Sequence, residues 1–151
     1  MTYVSAGGEP SGCVFCAALA AGDDRRVLIL HRSERAFLIL NAFPYASGHL
    51  MAAVTRHGGG LADASPAELT DAMTLVQRAM RALASVYRPD GFNVGVNEGR
   101  VAGAGVPDHL HMHVVPRWNG DTNFMPVLGD VRVLPESLDA TYARLAAALA
   151  S

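Results

Sequence analysis

The sequence predicts an α+β domain in which an antiparallel five-stranded sheet packs with one long helix and one or two shorter ones. Three observations predict it. Five strand-length apolar or alternating runs fall in two blocks along the chain. Between the blocks, residues from about Pro66 to Tyr87 carry apolar side chains at helical spacing. The chain has 151 residues, of which 50% are hydrophobic and 17% charged, enough for one domain with a core and too little for two.

The elements follow in order. Residues 1–11, with Gly7, Gly8 and Pro10, read as a loose arm. Cys13 to Ala21 reads as a short helix with Cys13 and Cys16 at its start. Arg26 to His31 and Arg35 to Leu40 are two apolar runs split by Arg32, Ser33 and Glu34, a hairpin signal. Asn41 to Gly48 reads as a loop and His49 to Val54 as the third strand. Ser65 is a good N-cap for the long helix. Pro66 suits its first position and Glu68 completes a capping box. Leu69, Met73, Val76, Met80 and Leu83 give it one apolar face, so Met73 and Met80 are expected in the core. Arg88 to Gly91 stops it. Phe92 to Asn97 reads as a strand, Glu98 to Asp108 as a glycine-rich loop, and His109 to Val115 as a strand ended by Pro116. The chain from 126 reads as a C-terminal extension, with a short strand at 131–134 and a helix over Ser137 to Leu149. No repeat or linker divides the chain, so residues 1–151 read as a single domain.

Composition excludes several function classes. All 12 basic residues are arginine, and the formal net charge is −2. No basic surplus exists for nucleic acid or for anionic membranes. The longest apolar runs are strand-length, and the N-terminus lacks the pattern of a signal peptide. A cytoplasmic protein is expected, with neither nucleic acid nor membrane as partner.

Histidine is the exception in this composition. Three of the six histidines, His109, His111 and His113, fall within five residues. On a strand the alternation places all three on one face, with Leu110, Met112 and Val114 toward the core. Three imidazoles in a row are poor core filler, and a solvated strand face ordinarily uses Thr, Ser, Lys or Glu. Two chemistries use such a row. Alternate histidines can grip a cation. An imidazole nitrogen can also attack phosphorus and form a covalent phospho-histidine, held and assisted by its neighbours. The preceding Gly99 to Gly105 loop, whose glycines let backbone N–H groups approach an anion, favours phosphorus chemistry. Cys13 and Cys16, two residues apart, suit a metal half-site or a redox pair better than a stabilising disulfide. Arg117 reads more readily as a solvated or paired strand-end group than as a phosphate ligand. Asp108 and Asp121 could be read as catalytic acids, Asp108 more readily as a cap of the loop, and His31 as a strand-end residue without a role.

Taken together, these motifs resemble the histidine triad (HIT) family of nucleotide hydrolases and transferases. The stretch from His109 to Val115 matches the family's His-x-His-x-His-x-x pattern, with Asn97, Glu98 and Gly99 matching the turn before it. Asn41, Pro44, Gly48 and His49 resemble its early ribose-side strand and loop. His57, Cys13 and Cys16 match the zinc-containing members. The resemblance covers roughly residues 12–125 and lies nearest the bacterial diadenosine tetraphosphate phosphorylases. It implies a HIT-like fold, a homodimer with its two sheets joined edge to edge, and a small nucleotide as ligand.

Residue by residue, the resemblance implies His111 as nucleophile at an α-phosphorus, with His113 and His49 in support. It implies Asn97, Gly103, Gly105 and Val106 around the phosphates and Asn41 near the ribose. Phe15, Leu40 and Phe43 become base-pocket candidates, and Trp118 and Asn123 residues that close the site across a dimer. It implies a structural zinc on Cys13, Cys16, His57 and His109. Two departures stand out. The stretch from Gly103 to Val106 lacks the glutamine of many HIT hydrolases, which moves weight toward phosphorolysis. Three glycines, Gly58 to Gly60, follow His57 and read as a mobile segment.

Three other readings compete with a (di)nucleoside polyphosphate enzyme: a phosphoramidate hydrolase, a cupin-like metal enzyme, and a non-catalytic nucleotide-binding module. A cupin site needs a jelly roll, which the long amphipathic helix opposes. The complete triad opposes a non-catalytic module.

Overall fold

A computed structural model describes residues 12–122 and 136–150. Its elements run α1 (Val14–Ala20), β1 (Ile29–Arg32), β2 (Ala36–Leu40), β3 (Leu50–Val54), α2 (Pro66–Tyr87), β4 (Gly91–Gly95), β5 (His111–Arg117) and α3 (Leu138–Ala150). The strands form one antiparallel sheet in the order β1-β2-β3-β5-β4. The expected architecture is present. The arm at 1–11, the strand at 131–134 and Asn123 lie outside the described residues. No helix among the described residues is long and apolar enough to cross a membrane.

Every residue of β2 and β3 is buried, because the sheet is covered on both faces. Alternation sends Leu38, Leu40, Leu50, Ala52, Val54, Met112 and Val114 toward α2 and α3. It sends Phe37, Ile39, Met51 and Ala53 to the other face, where Phe15 and Ala18 of α1 meet them. The histidines of β5 share that second face. A seven-residue helix such as α1 is marginal alone, so its place depends on what it packs against.

The capping box at the start of α2 is complete. Ser65 Oγ accepts from the Glu68 N–H at 3.2 Å, and the Glu68 carboxylate accepts from the Ser65 N–H at 2.8 Å. Arg56 donates to the same carboxylate at 2.7 Å and holds Glu68 down to about 2. The buried face of α2 is Ala72, Leu75, Val76, Ala79, Ala82 and Leu83. Val76 and Leu83 of the expected stripe lie in it, and Leu69 and Met80 pack against the same core, but Met73, expected in the core, is 46% exposed. Alanines fill the rest of the face, since small side chains let the helix lie close on the sheet.

Three strand boundaries also differ. β1 starts at Ile29 and not Arg26. Asp23 and Asp24 accept from the backbone N–H groups of Val27 and Ile29 and fold that stretch into a turn, with Leu28 at φ 66°. β4 leaves the sheet at Gly95, opposite His113, short of Asn97. β5 begins at His111 and runs through Pro116 to Arg117 instead of stopping before the proline. Pairing with β3 ends at Leu50 opposite Val114, so Pro116 lies beyond it and forfeits no bond on that side.

Replacing Ser65 with Ala is expected to cost about 1 kcal/mol through loss of the cap. A denaturant midpoint lowered with unchanged slope in urea unfolding checks this.

Candidate functional site

The site is built on the sheet face opposite α2. His111 and His113 project from β5, and His49 stands just before β3 with 1% exposure. Gly48, at φ 82°, turns the chain into His49. A Cβ there would lie 2.8 Å from a Leu83 methyl, so only glycine fits.

Backbone groups assign the protons. The Tyr45 N–H donates to His49 Nδ1 at 3.0 Å. The proton of neutral His49 is therefore on Nε2, which faces His113 Nδ1 at 3.0 Å. That bond in turn leaves the proton of His113 on its Nε2. His111 is set the opposite way. Its Nδ1 lies 2.7 Å from the His109 carbonyl, which can only accept, so Nδ1 carries the proton and Nε2 the lone pair. The rings of His111 and His113 are 5.0 Å apart and nearly perpendicular. One imidazole thus offers a nucleophilic lone pair and its neighbour an N–H donor. Burial lowers the pKa of His111 against the opposing His109 carbonyl bond. Burial, then the nearby His111, brings His113 down to about 4. Both rings are neutral near neutral pH.

A second cluster lies beside the first. The ligand atoms of Cys13, Cys16, His57 and His109 all lie within 4.8 Å of one another. His109 Nε2 donates to the Val54 carbonyl at 2.6 Å, which leaves the Nδ1 lone pair facing Cys13 Sγ at 3.2 Å and Cys16 Sγ at 3.6 Å. His57 Nδ1 is 3.5 Å from Cys16 Sγ. Metal–ligand bonds of about 2.0–2.3 Å in a tetrahedron put neighbouring ligand atoms roughly 3.3–3.8 Å apart, so this donor set fits one ion. Cys13 is the N-cap of α1 and Cys16 follows one turn later, which brings both thiols to one end of the helix.

Gly58 to Gly60 are packed, contrary to the mobile segment their composition suggests. The Gly58 carbonyl accepts from the Leu110 N–H at 2.7 Å. A Cβ on Gly59 would collide with the Pro107 carbonyl. The glycines allow one backbone to lie against another directly upstream of the histidine strand.

The other expected site residues divide. Phe15 packs on His109 and His111 at ring distances of 5.0 and 4.9 Å. Asn41 is buried. Its Oδ1 accepts from the Phe43 N–H at 2.9 Å, and its amide lies 3.4 Å from His49 Nε2. Asn97 is beside Gly103, whose φ is 89°, and Val106 packs on the Phe15 cluster. Gly105 is exposed in the same loop. Leu40 is not in this site. It belongs to the core under α2, and Ile39 occupies the histidine face in its place, as strand alternation requires. Phe43 is 64% exposed and so does not wall a buried pocket. Trp118 donates to the Tyr87 carbonyl at 3.4 Å, which ties it to the end of α2 within this chain. Arg117 and Asp121 pair with each other at 2.6 Å. His31 lies within β1, 2.9 Å from Arg78. Sequence reasoning missed Ile39, Tyr45 and the Val54 carbonyl. Alternation could have found the first, and no local signal marks the other two.

Residues 25–120 match the family described as the HIT domain. The chain belongs to the HIT family. A HIT relative from Mycobacterium tuberculosis named AP-4-A phosphorylase is 42% identical over 123 residues, covering 82% of this chain and 63% of the relative. The chain thus spans less than two thirds of that relative's length. An adenosine 5'-monophosphoramidase from Saccharomyces cerevisiae is 34% identical over 107 residues, covering 71% of this chain and 63% of its own. The crystal structure of a zinc-bound histidine triad family protein from Mycobacterium smegmatis has a TM-score of 0.75 at 29% identity, covering 92% of this chain and 94% of that one. The sheet and helices described above are therefore the HIT fold.

The lowered pKa of His113 sets a pH dependence. The unfolded side chain binds its proton around the ordinary 6.5, the folded one only around 4. Stability is fully present above the first value and falls as pH drops through the second. Thermal unfolding from about pH 7 to pH 4.5 is expected to show this decline, and His113→Asn to flatten it.

Proposed function

We propose that this chain cleaves the α-phosphate bond of a (di)nucleoside polyphosphate through a nucleotidyl-histidine on His111. The carrying observation is the opposite proton placement on two adjacent imidazoles, a lone pair on His111 Nε2 and an N–H on His113 Nε2. Nε2 of His111 attacks the α-phosphorus, and the bond to the bridging oxygen breaks. The leaving oxygen departs as the polyphosphate anion and accepts a hydrogen bond from His113 Nε2–H, while His49 Nε2–H supports the His113 ring. As the phosphorus bonds to Nε2, the positive charge on His111 is met by the His109 carbonyl at Nδ1–H. Asn97 and the loop from Gly103 to Val106 hold the phosphates, Asn41 the ribose, and Phe15 with Ile39 the base. In the second step an acceptor oxygen displaces the nucleotide from His111. No glutamine stands in Gly103 to Val106 to direct water, and the relative named AP-4-A phosphorylase supports inorganic phosphate as that acceptor. The relative named adenosine 5'-monophosphoramidase supports a second reading, a phosphoramidate whose leaving nitrogen accepts the hydrogen bond of His113 Nε2–H.

Zinc is the ion this reading assigns to Cys13, Cys16, His57 and His109. Its contribution is structural: with all four positions filled by protein it has no open position for substrate. The reading also includes a homodimer. β4 is the last strand of the sheet, its three residues from Asn93 to Gly95 are exposed, and it carries no charge to deter pairing. The free thiols suit a reducing cytoplasm.

Diadenosine tetraphosphate incubated with the protein is expected to give ADP and ATP only when inorganic phosphate is present; AMP and ATP would mean hydrolysis. His111→Ala is expected to lower turnover on the order of a thousandfold or more, since it removes the atom that carries the intermediate. Full turnover by that variant would end the proposal. Elemental analysis is expected to find one zinc per chain, lost in the Cys13→Ser, Cys16→Ser double variant. Metal retained there would place it on the histidine strand instead.

A further inference from the structure

The loop from Asn41 to Gly48 brings Tyr45 over the two supporting histidines. Its ring lies 4.6 Å from the His49 ring at 34°, and 6.2 Å from the His113 ring at 26°. Its own backbone N–H is the donor that assigns the His49 tautomer, at 3.0 Å. The side chain is nevertheless 47% exposed, so one face of the ring covers histidine while the rest meets solvent. An apolar core role does not account for an aromatic ring in this position. Pro44 precedes it and limits the backbone of the loop, which helps hold the ring where it is.

We infer that Tyr45 is a positioning residue, whose ring roofs the His49–His113 pair, keeps water from it and holds His113 Nε2–H aimed at the leaving group. The inference rests on the proposed role of His113 as hydrogen-bond donor to the leaving group. Such a donor is effective only while its N–H points at the leaving atom, and the chain from Tyr45 N–H through His49 to His113 sets that direction. Water reaching His113 would compete for that N–H and would stabilise the charged imidazolium. Among the described residues, the titratable groups facing His113 are His49 before β3, His111 on its own strand and Tyr45 from the loop. The paired residues on β3 and β4, Met51 and Gly95, carry no charge. The roof is therefore the element whose removal changes the hydration of His113 while both neighbouring imidazoles stay in place. The low proton affinity of His113, whose first cause is burial, accords with a shielded ring.

Tyr45→Ala tests this, with Tyr45→Phe as the rescue and Tyr45→Leu as a second variant that keeps bulk without a flat ring. Turnover of diadenosine tetraphosphate with inorganic phosphate is expected to fall about tenfold in kcat for the Ala variant, with KM changed less than about twofold. The Leu variant is expected to fall between, and the Phe variant to restore kcat. NMR titration of the His113 imidazole nitrogens supplies the readout that a merely structural role would not move. Its midpoint is expected to rise toward the ordinary value in the Ala variant and to return with Phe. A KM rise with unchanged kcat makes the ring a substrate contact and overturns the inference. So does a fall in kcat with the His113 midpoint unmoved. If Tyr45→Ala does not fold, the Leu and Phe pair decides the same way. The titration needs no turnover, so a protein inactive on nucleotides would end the proposed function while the titration still decides the roof.

Discussion

His109 donates from Nε2 to the Val54 carbonyl at 2.6 Å, and the geometry of both clusters depends on that bond. A ring held at one nitrogen has only the other to offer, and here the other faces two thiols. The same residue's backbone carbonyl accepts from His111 Nδ1 at 2.7 Å. One residue therefore orients the Cys/His cluster with its side chain and the His111 ring with its main chain. Val54 can provide the carbonyl because it ends β3, where its N–H already bonds the Leu110 carbonyl. The sheet register places His109 against the strand end and His111 beside His113.

That register is protected by packing on both faces. β2 and β3 are buried throughout, so a slip of one residue would exchange Phe37, Ile39, Met51 and Ala53 with Leu38, Leu40, Leu50 and Ala52. Each set is matched to its own layer. The alanines of α2 let the helix lie close to one face, and Phe15 fills the other beside His109 and His111. Glycine is used where backbones meet: Gly59 against Pro107, and Gly48 under Leu83 and Tyr87. These contacts hold the loops on either side of the triad against the core.

The chemistry is then a matter of where protons rest. The tautomers of His49, His111 and His113 are assigned by a main-chain N–H, a main-chain carbonyl and one another. Burial keeps His111 and His113 neutral, so one holds a lone pair on Nε2 and the other its single proton there.

Much of this is legible in the chain itself, because the signals are local. The capping box at Ser65 and Glu68, the hairpin at Ser33, the alternation of the histidine strand and the spacing of the two cysteines each act within a few residues. What the sequence by itself determined is which groups exist and which face of an element carries them. Tertiary structure decided the rest. Large apolar residues marked the buried face of α2 except at Met73, since burial there follows the closest approach to the sheet and so favours alanine over that side chain. Pro116 continues a strand because its neighbour has already ended, which is a fact of pairing between distant segments. Leu40 and Ile39 exchange roles because a face is assigned by register and not by side-chain type. The proton positions are the clearest case. They depend on Tyr45 N–H, the Val54 carbonyl and the His109 carbonyl, and main-chain groups are the same at every residue, so only the folded path of the chain gives these three their direction.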